Sequence, residues 1–427
     1  MGFLLAFAQF VLIAIICFQE VKRKSPAIFL WATLMIMFGV MHLLSVVTGN
    51  SDYTDQTLNE ASLFVIGFCS IYYFVRYILC YSKGKQYQVA SYYSIESMNS
   101  TKTTWFLALF FMACFMMCYN LISFSGGIIN TSWSSGRDYS ATLNYANSHQ
   151  IYRILYFSLG GVPFLLWIKK KHKTSMLCVV AILILTIITR DRIQVLPVLV
   201  FILALYVLKI KDLKLPHILF AAVIAIAVIY IVYGLRVFRH YGTIEVFLRD
   251  FELGEFVDRI NIYLTTDNGE LGLRNDFYYF IQKDNQFTGF GEWATYIRML
   301  LVYIPTRLTF GLKPADFAQT MGSAVGMVAG GSTHPTLFGD CYANAGILGV
   351  LLGSFWAIYC SIADRIVIRS KKQTQKVLTY CLFAVTYVII GRGSVYNSFF
   401  FVAWGIPAIW VMVTVFDKLP KIRFKLR

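Results

Sequence analysis

The chain has 427 residues, of which 58% are hydrophobic, 17% aromatic and 14% charged, with a formal net charge of +16. A mean hydropathy of +0.62 excludes an ordinary soluble domain of this size, in which about a quarter of the residues carry charge. The positive balance does not point to nucleic acid, because the bases segregate into alternate loops, as membrane topology requires.

Apolar runs of about 17 to 22 residues recur along the chain, each long enough to cross a hydrocarbon core of about 30 Å as a helix. They lie at 2–18, 27–47, 60–80, 104–124, 150–168, 174–189, 193–209, 216–235, 342–361, 375–391 and 396–416. The pattern predicts an all-α polytopic membrane protein with about eleven transmembrane helices. The first run has neither a basic n-region nor a small-residue cleavage site, so it reads as a retained helix with its N-terminus outside. The basic stretches VKRK, SKGK, KKKHK and KIKDLK, the segment 364–376 and the tail DKLPKIRFKLR fall in alternate loops, which the positive-inside rule makes cytoplasmic. TGNSDYTDQTLNE, on the opposite side, has three acids and no base. The expected orientation is N-out and C-in.

Three regions follow: transmembrane helices 1–8 over 1–235, a large periplasmic loop over 236–341, and helices 9–11 with a cytoplasmic tail over 342–427. The loop contains predicted short helices (TIEVFLRDFELGEFVDRI), an amphipathic stretch (WATYIRMLLVYIP) expected to lie against the membrane surface, and the Gly-rich run MGSAVGMVAGGS. A loop of this length is functional or disordered, and its aromatic content argues against disorder. Of the nine cysteines only Cys341 touches the loop, at its edge, so no disulfide framework is expected there and the rest read as packing residues. No D-x-D and no metal-ligand spacing occurs, and no metal or cofactor is expected.

Arginine is distributed unevenly. The cytoplasmic segments hold 18 Lys and 5 Arg, whereas the external positions hold 12 Arg and 2 Lys, with Arg76 inside a span. Arg249, Arg259 and Arg274 are expected to pair with the acids of the large loop. Arg190, Arg192, Arg298, Arg307 and Arg392 lie at or near outer span ends or beside the amphipathic stretch, where a planar five-donor guanidinium can grip a phosphate bidentately. TRDR, at 189–192, is the whole connection between two spans; its arginines are placed to bind a diphosphate or to snorkel beside Asp191. GRG, at 391–393, repeats the theme, with flanking glycines that would admit close approach of a ligand.

YIPTRLTFGLKP and HPTLFGDCYANAGILG, together with TRDR after the sixth span and GRG after the tenth, resemble the bacterial oligosaccharide repeat unit polymerases, the Wzy-type O-antigen polymerases. The family's run of Pro, Arg, Lys-Pro and then an acid with Tyr, Asn and Gly entering a span maps here to Pro305, Arg307, Lys313, Pro314, Asp340, Tyr342, Asn344 and Gly346. Thr306 displaces the arginine after Pro305, and Asp340 stands where glutamate is frequent. The resemblance implies a metal-independent glycosyltransferase of the bacterial inner membrane, acting at the periplasmic face. Its substrates would be undecaprenyl-diphosphate-linked oligosaccharides, a growing glycan passing onto a new lipid-linked repeat unit, with a chain-length regulator protein as a further partner.

Such a reaction needs cations for the leaving diphosphate, a base for the acceptor hydroxyl and a groove for sugars. Arg190, Arg192, Arg298, Arg307, Lys313 and Arg392 are the candidate diphosphate ligands. His334, beside Pro335 late in the loop, is the first candidate base; Asp340 is the competing base or the group that orients His334. His42 and His240 read as packing or interfacial residues. An O-antigen ligase shares donor and chemistry and differs in acceptor. A polysaccharide or lipid-linked sugar transporter would instead show ionisable groups at mid-membrane and internal repeats, of which the sequence shows few and none.

Overall fold

The computed structural model describes residues 2–49, 51–82, 85–86, 88–99, 103–140, 142, 149–209, 230, 233–234, 236–238, 241–265, 271–285, 293–315, 317–324 and 333–419. The expected span 216–235, apart from isolated positions, lies outside the described residues, as do His240, most of KIKDLK and the later part of the Gly-rich run.

In chain order the helices, besides two short ones at Tyr92–Glu96 and Trp133–Ser140, are α1 (Gly2–Arg23), α2 (Ile28–Thr48), α3 (Asp55–Cys80), α4 (Thr104–Ser125), α5 (Gln150–Ile168), α6 (His172–Thr189) and α7 (Leu196–Lys209). The large loop adds α8 (Ile244–Asp250), α9 (Leu253–Thr265), α10 (Arg274–Gln282), α11 (Ala294–Leu300) and α12 (Phe317–Ala324). The last four are α13 (Thr336–Ala345), α14 (Leu352–Arg369), α15 (Gln373–Arg392) and α16 (Val395–Lys418). Among the described residues the only sheet is a two-residue antiparallel pair, Tyr81–Ser82 with Lys85–Gln86. Nine described helices are long and apolar enough to cross a membrane: α1 to α6, α13 with α14 as one 34-residue span, α15 and α16. The chain is a multi-pass helical membrane protein.

Helix α1 shows how such a sequence chooses its face. Ala6, Gln9, Ile13, Ile16, Glu20 and Arg23 are buried, at three- and four-residue spacing, while Phe3, Leu4, Phe7, Val11, Ile15 and Phe18 are exposed. An outward face this apolar suits lipid rather than water. Helix α2 widens into a π-helical turn at Met35–Val40, where the regular i to i−4 ladder is interrupted. The Phe38 carbonyl accepts a bond of 2.6 Å from Gln9 Nε2 of α1 there.

The chain divides into two compact units. The first comprises 1–90, 270–369 and 386–403, the second 91–269, 370–385 and 404–427. Within the first, α1, α3 and α14 meet around a buried ionic cluster near their C-terminal ends. Arg76 donates through Nε and Nη2 to the Glu20 carboxylate at 2.9 Å each, through Nη2 to Asp364 at 2.5 Å and through Nη1 to Ser361 at 2.8 Å. Ser25 donates to Asp364, Tyr72 to Glu20, and Arg23 pairs with Glu20. These charges come from three different spans, so only Arg76 stood out in the sequence.

The ninth expected span starts earlier than 342. Thr336–Asn344 is buried throughout and already helical as α13, because the whole of TLFGDCYANA packs inside the first unit. Asn344 therefore sits in the last turn of a helix rather than in the first turn of the span. Gly346 follows with φ 54° and ψ −141°, a backbone conformation open to glycine, and the chain tightens into a 3₁₀ segment (Gly346–Leu351) before α14.

Candidate functional site

The polar half of HPTLFGDCYANAGILG is positioned by α10, whose buried stripe is Arg274, Phe277, Tyr278 and Ile281. Phe277 stacks edge-on or tilted against Phe64, Phe338 and Tyr342, fixing α13 against α10 and α3. His42 is buried and bonded to Tyr278 through Nδ1 at 2.6 Å and to Ser62 through Nε2 at 2.8 Å, which ties α2, α3 and α10 together.

On the other side of α13, α11 is clipped on by side-chain bonds. Asp340 accepts from Thr295 Oγ1 at 2.9 Å and from Asn344 Nδ2 at 3.3 Å. Asn344 in turn accepts from the Thr295 backbone N–H at 3.0 Å and donates to the Asp340 carbonyl at 2.7 Å. Thr295, Asp340 and Asn344 are all buried, so the carboxylate is held by directed bonds, as a buried polar group must be. Asp340 is five residues into a helix, and its place is set by these partners rather than by a helix N-terminus.

His334 lies in the short link ahead of α13, half-buried. Its neighbour Thr333 donates to Asp276 of α10; burial raises the Asp276 carboxyl to about 6, against the opposing effect of the Thr333 bond. Thr336, two residues beyond His334, has φ 66°, a conformation costly for a β-branched side chain. The turn after α15 presses on this link. Gly393 has φ 110°, and a Cβ there would stand 2.8 Å from Thr336 Cα and 2.9 Å from the His334 carbonyl carbon. Gly391 packs as closely on Thr33 of α2. The glycines beside Arg392 thus make close contacts within the protein, and Gly393 also borders a cleft beside His334.

Thr295, Arg298, Phe317, His334, Asp340 and the run Gly393–Asn397 line this small, narrow cleft. Arg298 lies over the Tyr396 ring, its Cζ 4.3 Å from the centroid, and Lys313 Nζ is 5.8 Å from the same ring. Arg298 donates to the Pro314 carbonyl, and Lys313 to the Ile304 carbonyl at 2.9 Å. Burial, and then the Arg298 charge, lowers the Lys313 ammonium from its usual range. Among the described residues no group of three or more His, Cys, Asp or Glu comes together.

The structure therefore gathers Arg298, His334 and Asp340 at one cleft, with Lys313 near its Tyr396 ring and Arg392 next to lining residue Gly393. Arg307 is exposed on the turn Thr306–Leu308 and does not line the cleft. Arg190 and Arg192 belong to the second unit. There Arg190 is buried, donates to the Gly242 carbonyl and lies 4.5 Å from the Phe238 ring centroid. Asp191 caps the turn Arg192–Val195 and pairs with Arg153 at 3.5 Å. Arg249 and Arg259 pair with Asp250 and Glu255, while Arg274 is buried and donates to Ser45 at 3.0 Å. Thr295, Tyr396 and Asn397 were not singled out in the sequence. The one signal was SVYN directly after GRG, an aromatic and an amide opening a span.

Chemically, the cleft offers one cation, Arg298, with Lys313 near its Tyr396 wall, together with an imidazole, a fixed carboxylate, an aromatic face and the amide of Asn397. These groups can bind an anion or a hydroxyl. No protein-family model, no curated protein and no solved structure matches this chain.

Proposed function

We propose that the chain is a surface-polysaccharide polymerase of the Wzy type, a metal-independent glycosyltransferase of the bacterial inner membrane working at the periplasmic face. In this reading the chain crosses the membrane eleven times, N-out and C-in, with 216–235 as the eighth span. The observation that carries it is the shared cleft: Arg298, named from the amphipathic stretch as a diphosphate ligand, and His334 and Asp340, the two candidate bases of a second stretch, meet beside an aromatic ring.

The steps follow from those groups. The acceptor hydroxyl of a new lipid-linked repeat unit loses its proton to His334 as its oxygen bonds to the anomeric carbon of the donor glycan. The bond from that carbon to the diphosphate oxygen breaks, and undecaprenyl diphosphate leaves with the electron pair. Arg298 and Lys313 meet the developing negative charge in a partly dry site, where preorganised cations act most strongly. Asp340, fixed by Thr295 and Asn344, balances the imidazolium. Tyr396 gives a sugar ring a flat apolar surface.

The banding of lipid-linked or core-linked glycan in a deletion strain tests this. A polymerase predicts a single repeat unit on core, restored to a ladder by the intact gene and not by the Arg298→Ala gene. Core without any repeat unit would assign the ligase instead. A full ladder in the deletion strain would remove the proposal.

A further inference from the structure

We propose that residues 300–312 form an elbow immersed in the acyl chains of the leaflet on the large-loop side, rather than a segment lying on the membrane surface. This goes beyond the reaction and does not rest on it.

Depth comes from a contact with a span. Tyr303 donates to the Ala403 carbonyl at 2.8 Å, and Ala403 is eight residues past Val395, where α16 starts, or about 12 Å along the helix axis. With 24 residues, α16 is about 36 Å long against a hydrocarbon core of about 30 Å. Even if all the excess projected on this side, Ala403 would lie about 6 Å inside the core.

The composition of the tip agrees. Leu300, Leu308, Phe310 and Leu312 are 83%, 63%, 93% and 72% exposed. Phe310 holds this position at φ 49°, so the chain bends unfavourably to present a large apolar ring outward. Immersion requires that backbone groups be satisfied locally, and the turn does much of this itself. The N–H groups of Leu308, Thr309 and Leu312 donate to the carbonyls of Pro305, Thr306 and Thr309, and Pro305 has no N–H to satisfy.

Charge places the neck. Two bases, Arg298 and Lys313, stand at the neck between Glu292 and Asp316, which suits a phosphate-bearing headgroup layer, and Arg307, exposed within the elbow, would snorkel its guanidinium to the same layer. Arg298 and Lys313 close the elbow on the Pro314 and Ile304 carbonyls, so the rim of the cleft would stand at phosphate depth with the apolar tip below it.

The test uses the full chain in lipid nanodiscs with 4-trifluoromethyl-phenylalanine placed at 310, and separately at 300, read by fluorine NMR. Acyl-chain spin-labelled lipid should broaden both signals at least several-fold more than a water-soluble gadolinium chelate does. Preferential broadening by the chelate overturns the proposal. So does broadening by neither agent, the result expected if a second protein surface covers the tip.

Discussion

Arg298 touches the Tyr396 ring and the Pro314 carbonyl while lining the cleft, so its planar fork matters as well as its charge. Arg298→Lys keeps one charge and loses the fork and the stacking; polymerisation of lipid-linked repeats by purified protein should fall about tenfold or more. Arg307→Ala, exposed and off the cleft, should lower the rate much less, and His334→Ala should lower turnover by about 10² to 10⁴ with donor binding nearly intact. Near wild-type turnover in a stably inserted His334→Ala protein would move the base to Asp340. Asp276 supplies a pH test. Burial raises its carboxyl to about 6 in the folded chain, whereas an unfolded aspartate titrates near pH 3.9, that is about 4. The folded state therefore holds the extra proton between about pH 4 and 6, and this stabilisation, complete below about pH 4, is lost as pH rises through 6. Asp276→Asn should flatten thermal stability across that window and raise it at neutral pH, on the order of 2 kcal/mol. An unchanged profile in detergent-solubilised protein would disprove the assignment.

At the scale of elements, the joints matter more than the helices. Three spans meet at Arg76, which bonds to Glu20, Asp364 and Ser361 with none of them exposed. Removing only the cation leaves buried carboxylates uncompensated, so Arg76→Leu should destabilise the protein by about 3 to 5 kcal/mol. Adding Asp364→Asn alone should recover most of that loss in thermal unfolding, because Glu20 keeps its partner Arg23 and no uncompensated charge remains. If the double variant is as unstable as the single one, packing and not charge holds the joint. The same logic explains why α13 carries polar residues without being solvent-exposed. Asp340 and Asn344 satisfy each other and Thr295, and thereby fasten α11, with Arg298, beside the link that carries His334.

For the whole molecule, nine described helices can cross a membrane, and the proposed orientation rests on the bases. Reporter fusions after Gly272 and after Lys171 should report opposite sides, periplasmic for the first and cytoplasmic for the second. Cytoplasmic activity at Gly272 would overturn the orientation and with it the proposed reaction. The ionic cluster also bears on the transport alternative. It lies near the C-terminal ends of α1, α3 and α14, and Arg76 spends Nε, Nη1 and Nη2 on protein partners, which describes a joint rather than an ion pathway.

The nine described spans were legible as apolar runs, one of them with its start misplaced, because each must satisfy its backbone internally and face lipid, a demand that acts locally on consecutive residues. Arg298, His334 and Asp340 could be nominated by residue type and by their place near span ends. Their meeting could not, since it depends on α11 closing onto α13 through Thr295 and Asn344, residues 49 apart. Gly393 and Tyr396 reach the cleft only because the turn after α15 packs on the His334 link. The Glu20–Arg76–Asp364 joint was hidden for the same reason: one carboxylate and its guanidinium are 288 residues apart. Hydropathy is a property of a window, whereas a site is a property of contacts between windows, and those were decided by tertiary packing alone.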